Sequence, residues 1–157
     1  MKPFARLSDG DFQRDLEVNY LGCVRTIRQA LPALKRSKQA SIVLFSTVAV
    51  QTGLPFHASI SGAKGAIEGI TRALAAELSP SIRVNSLALS LTDTPMAEGL
   101  LNSDAKRSAA AERHPLKRVG HPAEVAGAVD FLLGDQAAFI SGQVVQLDGG
   151  LSTLKLL

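Results

Sequence analysis

Apolar residues recur at intervals of three and four near the start of the chain, at Phe12, Leu16, Tyr20, Val24, Ile27, Leu31 and Leu34. That spacing puts them on one face and predicts an amphipathic helix from about Asp9 to Lys35. Ser8 or Asp9 offers its N-cap, and residues 1–8 are expected as loop. Pro32 is expected to bend or restart the last turns. The period then changes. Ile42-Val43-Leu44-Phe45, within Ala40–Thr47, is a short unbroken apolar run rich in β-branched and aromatic side chains, the pattern of a buried parallel strand. Gly53 and Pro55 punctuate a loop, and helical spacing returns from about His57 to Leu78. Ala63, Ile67, Ile70, Leu74 and Leu78 form the face expected to cover a sheet. Opposite them Ala58, Gly62, Gly65, Gly69, Ala73 and Ala76 make a stripe of small residues. Each helical Gly costs about 1 kcal/mol relative to Ala, which close approach of another backbone would offset.

Pro80 closes that helix, and Arg83-Val-Asn-Ser-Leu-Ala-Leu89 reads as the next strand. A short helix over 97–101 follows, then Ser103 caps a charged, Ala-rich helix to about Glu112. A further helix spans 122–133 with Glu124 in its first turn. Ser141–Gly150 holds the closing strand. Strands near 40–46, 83–88 and 143–147, alternating with helices, demand right-handed crossovers and one parallel sheet covered on both faces. The expected fold is α/β, a three-layer Rossmann-like arrangement, as a single domain over 1–157.

Composition narrows the function classes. Hydrophobic residues at 46% and charged ones at 20% are ordinary for a globular chain. The net charge of +3 is scattered among acids, and no basic–aromatic run points to nucleic acid. No stretch has membrane-spanning length, and the N-terminus Met-Lys-Pro-Phe-Ala-Arg lacks the apolar core of a signal peptide. Cys23 is the sole cysteine, so an internal disulfide is excluded and a cytoplasmic location is expected. His57, His114, His121 and Cys23 lack metal-ligand spacing, so no metal site is expected. His114 and His121, each beside a proline, read as loop residues.

Ser46 and Thr47 stand at the carboxyl end of the first strand, where open α/β sheets place their sites. Ile60 and Lys64 lie four apart on one helix face and can both look back at that end. This strand–hydroxyl–loop–helix segment resembles the active-site segment of the short-chain dehydrogenase/reductases. There a Ser ends the strand and, thirteen positions on, comes the Tyr of a Tyr-x-x-x-Lys motif. Here Lys64 matches the Lys, Thr47 replaces the Ser, and Ile60 occupies the Tyr position. Asn19-Tyr-Leu-Gly22 is similar to the family's Asn-x-x-Gly, whose Asn marks a helix kink and serves a proton relay. Read from the residues alone, Asn19 is a polar residue on an exposed face. Arg83-Val-Asn85 matches, but Leu89-Ser90 stands where Pro-Gly is usual. Thr92-Asp-Thr94-Pro, the segment His114–Pro122 and Asp148-Gly-Gly150 also match. The resemblance covers nearly the whole chain except the family's beginning, since none of the thirteen glycines forms a Gly-x-Gly-x-x-Gly set. It therefore implies a truncated fold, the C-terminal half of a short-chain dehydrogenase.

The resemblance implies catalytic roles for Asn19, Thr47 and Lys64, and contacts from Lys64, Thr92 and Thr94 to NAD or NADP. It also implies a small carbonyl or alcohol substrate, shaped by residues 97–119, and a homo-oligomer built through helices 9–35 and 57–78. In the family the Tyr is the acid, made useful at neutral pH by a nearby ammonium. Ile60 cannot transfer a proton, and losing a positioned acid typically costs about 10²–10⁴ in rate. His57, one turn before Ile60, is the candidate substitute acid. Lys64 as a Schiff-base nucleophile is the other chemistry open to this segment. Two readings follow. The chain is an NAD(P)-dependent oxidoreductase by descent, expected to be inactive and not to bind the cofactor alone. Alternatively it is a non-catalytic binding or assembly module on the same scaffold. A Gly-rich βαβ unit encoded upstream of Met1 would decide for the first.

Overall fold

The structure, a computed structural model, describes residues 2–155; Met1, Leu156 and Leu157, the ends of the single-domain expectation, lie outside the described residues. Three strands form one parallel sheet in the order β1-β2-β3: β1 (Ala40–Thr47), β2 (Ile82–Leu89) and β3 (Val144–Leu147). Register aligns Ala40 with Ile82 and Thr47 with Leu89, so the carboxyl ends of β1 and β2 are level. Ser86 aligns with Val144 and Leu89 with Leu147.

Strand periodicity sorts the side chains onto two faces. Ala40, Leu44, Ile82 and Val84 pack under the long helix Ala58–Leu78 and under Ile27. Val43 and Leu87 face the other way, onto Leu132 of the helix Pro122–Leu133. Helices therefore cover both faces, and the expected three layers are present. The expected sheet-covering face of the long helix is correct: Ile67 is 0% exposed and Leu78 8%.

The helices, in chain order, are α1 (Asp9–Leu16), α2 (Gly22–Leu34), α3 (Ala49–Thr52), α4 (Ala58–Leu78), α5 (Glu98–Leu101), α6 (Asp104–Glu112) and α7 (Pro122–Leu133). Ser8 caps α1 through a reciprocal pair with Asp11, as Ser103 caps α6 through the Lys106 amide. Four local expectations are corrected. Residues 1–8 include a 3₁₀ turn, Phe4–Arg6, held by Phe4 edge-on against Phe12 at 6.4 Å. The helix expected over 9–35 is interrupted by a π-helical turn, Glu17–Leu21, because Asn19 and Gly22 are poor at sustaining the α ladder. It then runs through Pro32 to Leu34. The loop after β1 contains α3, and Gly65 of the small-residue stripe faces inward onto Val50 rather than outward.

Arg83 and Asn85 anchor the far face of the sheet. The Arg83 guanidinium donates to the carbonyls of Leu132, Leu133 and Gly134 at 2.8, 3.2 and 3.1 Å, which closes the end of α7. Asn85, fully buried, donates to Ile140 O and accepts from the Gln143 amide, which fixes the start of β3.

Candidate functional site

The carboxyl ends of the strands gather the candidate residues. Lys64 lies two turns into α4, and its Nζ donates to Phe45 O at 2.9 Å, one residue before the Ser46-Thr47 pair. Burial pushes the Lys64 ammonium below its ordinary pKa, with Cys23 opposing the shift. Ser46 is buried and donates to Glu68 Oε1 at 2.7 Å. Thr47 is half-buried, and its Oγ1 accepts from the Ala49 amide at 3.3 Å, which starts α3. Asn19 sits in the π turn packed against α4, and its Nδ2 donates to Asp15 O at 3.0 Å.

Ile60 lines an open cleft with Leu7, Asp11, Phe56 and Ser59, across from Lys2 and Arg14. Ser59, buried, donates its hydroxyl to Asp11 O at 3.3 Å. Asp11 pairs with Lys2 at 2.8 Å, and hydrogen bonds from Lys2 and Ser8 hold its carboxyl far below the usual carboxylate range. His57 precedes α4, with Nδ1 2.7 Å from Pro55 O, and is not among the residues lining the Ile60 cleft. Thr92 and Thr94 go to different places. Thr92 Oγ1 donates to Ser90 O at 3.2 Å in an inner cavity, while Thr94 borders an outer cleft beside Asp93 and Arg107, which pair at 2.7 Å.

That inner cavity, about 150 Å³, holds a pair the sequence reading missed. His114, expected in a loop, is 3% exposed. Its Nε2 lies 2.7 Å from Ser90 Oγ and its Nδ1 2.8 Å from Ala110 O. A carbonyl only accepts, so the neutral ring carries its proton on Nδ1 and Nε2 accepts from the Ser90 hydroxyl. Asp148 borders the same cavity; burial raises its pKa, but hydrogen bonds from Ser152 and Gly150, with His114 nearby, outweigh that and leave it lowered. Gly149, at φ +60°, makes a left-handed turn after β3, and a Cβ added there would meet Leu116 at 3.5 Å and His114 at 3.7 Å. His121, the other expected loop residue, caps α7: its Nδ1 accepts from Ala123 N while Glu124 accepts from the His121 amide.

Among the described residues no group of three or more His, Cys, Asp or Glu side chains could hold a metal, and no helix is long and apolar enough to cross a membrane. For a dinucleotide the residues fit one end only. The Lys64 ammonium and the Thr92 hydroxyl suit hydroxyl and amide partners, whereas the described residues include no Gly-rich turn feeding a helix N-terminus, the usual pyrophosphate holder.

Comparison with known proteins places the chain among relatives. The family model described as enoyl-(acyl carrier protein) reductase matches residues 1–152. The chain is 36% identical over 159 aligned residues to the 2-(S)-hydroxypropyl-CoM dehydrogenase 3 of Xanthobacter autotrophicus, covering 96% of this chain and 62% of that one. A short-chain dehydrogenase/reductase structure from Brucella melitensis, titled a glucose/ribitol dehydrogenase, superposes with a TM-score of 0.88 at 37% identity, covering 96% of this chain and 60% of its own. A 4-hydroxyisoleucine dehydrogenase complexed with NADH superposes with a TM-score of 0.90 at 28% identity, covering 98% and 64%. The chain thus spans less than two thirds of each of these proteins.

Proposed function

The chain belongs to the short-chain dehydrogenase/reductase family, and from that premise we propose that it derives from NAD(P)-dependent oxidoreductases of small alcohols and carbonyls. When bound, the dinucleotide supplies hydride. This chain's residues supply the groups beside it: Lys64 reaches the end of β1, Thr47 offers a hydroxyl there, and Asn19 sits in the π turn packed against α4. The observation that carries the reading is the Lys64–Phe45 contact, which sets an ammonium at the strand end. Thr92 and Thr94 are the further cofactor contacts.

Residues 1–157 by themselves neither hold NADH or NADPH tightly nor reduce carbonyls. A ribose contact without a pyrophosphate site is a small part of dinucleotide affinity, and Ile60 offers no proton. Titrating the purified chain with each dinucleotide by calorimetry tests this; micromolar binding overturns it. Fusing a relative's Gly-rich βαβ segment ahead of residue 2 and repeating the titration separates the two readings. Restored binding marks an oxidoreductase cleft, and continued absence favours the binding or assembly module. We further propose that the chain pairs with copies of itself through helices 9–35 and 57–78. The support is exposed apolar surface at Leu16, Val18 and Leu21 and an outward-facing Gly62 and Gly69.

A further inference from the structure

The Ser90–His114 pair shares its cavity with Thr92, a proposed cofactor contact, and it has the parts of a nucleophile and its base. The hydroxyl donates to Nε2 at 2.7 Å, and Nδ1 is held by Ala110 O at 2.8 Å, so ring orientation and tautomer are fixed from behind. His114 is buried, which shields that hydrogen bond from water. Asp148 lines the same cavity, its carboxyl held by the amides of Gly150 and Ser152. The backbone N–H groups of Leu91 and Thr92, which follow the hydroxyl, meet no acceptor among the described residues, so the loop keeps donors for an oxyanion. Ser90 itself is half-exposed and opens on the cavity.

We propose that Ser90 is an acyl-accepting nucleophile with His114 as its base, giving the chain esterase activity toward short-chain carboxylic esters. The cavity's size and the apolar walls of Leu91, Leu116, Val119 and Leu147 select a short acyl group. In the first step the Ser90 proton moves to Nε2, Oγ bonds to the carbonyl carbon, and the bond from that carbon to the leaving oxygen breaks. The imidazolium returns its proton to the leaving alcohol. Water then attacks the acyl-serine, giving its proton to Nε2, and the acid departs as Ser90 regains a proton. No oxidant or reductant enters. This proposal does not rest on the dehydrogenase reading.

The full chain is incubated with p-nitrophenyl acetate and, separately, with a fluorophosphonate probe, and the adduct is located by peptide mass spectrometry. The expected result is an adduct on Ser90, absent in Ser90→Ala, and a labelling rate reduced at least about 100-fold in His114→Gln. If His114→Gln fails to fold, the pH profile of the native chain serves instead. A rate that levels off once one group has lost its proton marks the base-assisted hydroxyl, with Asp148, Arg118, Glu124 and His121 being the other ionisable groups around the cavity. A rate that climbs in proportion to hydroxide throughout, or adducts confined to Lys64 or Cys23, overturns the proposal.

Discussion

Ser46 commits its hydroxyl to the buried Glu68 carboxylate, and that bond joins the end of β1 to the middle of α4. Ser46→Ala would leave Glu68 without its donor, and a buried group stripped of its partner costs about 1–3 kcal/mol. Urea unfolding of the variant should show that loss, and Glu68→Leu added to it should return part of it. Ile60 is the opposite case, a position whose side chain can change without an internal bond being broken. Ile60→Tyr places a phenol four residues before Lys64, where the ammonium should draw its pKa below the ordinary value near ~10. Ultraviolet titration checks this, and Lys64→Met in the same background should return the phenol toward the ordinary value. The strand that carries Thr47 and the helix that carries Ile60 and Lys64 were legible in the sequence because both are set by local spacing. The Ser90–His114 pair was not. Its members are 24 residues apart, and the return of the chain through α5 and α6 brings them together.

The first helical region shows what periodicity reveals and what it hides. Phe12 through Leu34 keep one apolar face, so the sequence shows a helix, but a π turn adds a residue without erasing that face. Asn19 marks the spot, satisfying Asp15 O where the ladder shifts. Asn19→Ala should cost about 0.5–1.5 kcal/mol, the net worth of one such bond, read as a lower urea midpoint. At α7 the sequence showed the proline and the early glutamate but not the reciprocal cap. Hydrogen bonding from Arg118, then from the His121 amide, draws the Glu124 pKa from 4.5 down to about 2. A depressed carboxyl contributes stability in full above its unfolded value and loses it as pH falls through the folded value. The native chain should therefore lose this contribution between about pH 4.5 and pH 2. Glu124→Gln should flatten that part of the stability profile, measured by denaturant unfolding at stepped pH.

At the scale of the whole molecule, alternating strand and helix periods were enough to predict a parallel sheet with helices on both faces. Burial of both strand faces needs that arrangement, and the structure has it. The sequence could not say how the small-residue stripe of α4 is used, since small residues serve equally against a sheet and against another helix. The structure divides it: Gly65 meets Val50, while a Cβ at Gly62 or Gly69 would meet nothing within 4 Å. Within one chain, then, Gly69→Ala has no clash to create and should stabilise α4 by up to about 1 kcal/mol through helix propensity. Pairing between copies reverses the expectation for larger side chains, because two helices approaching over glycine leave no room for a long one. Sedimentation at micromolar concentration should show the native chain as a dimer or larger, and Gly69→Glu as a monomer with undiminished unfolding stability per chain. A native chain that sediments as a monomer, or a Gly69→Glu variant that still associates, would remove α4 from the interface. The exposed side of β1, paired only with β2 among the described residues, would then be the surface left to explain any association.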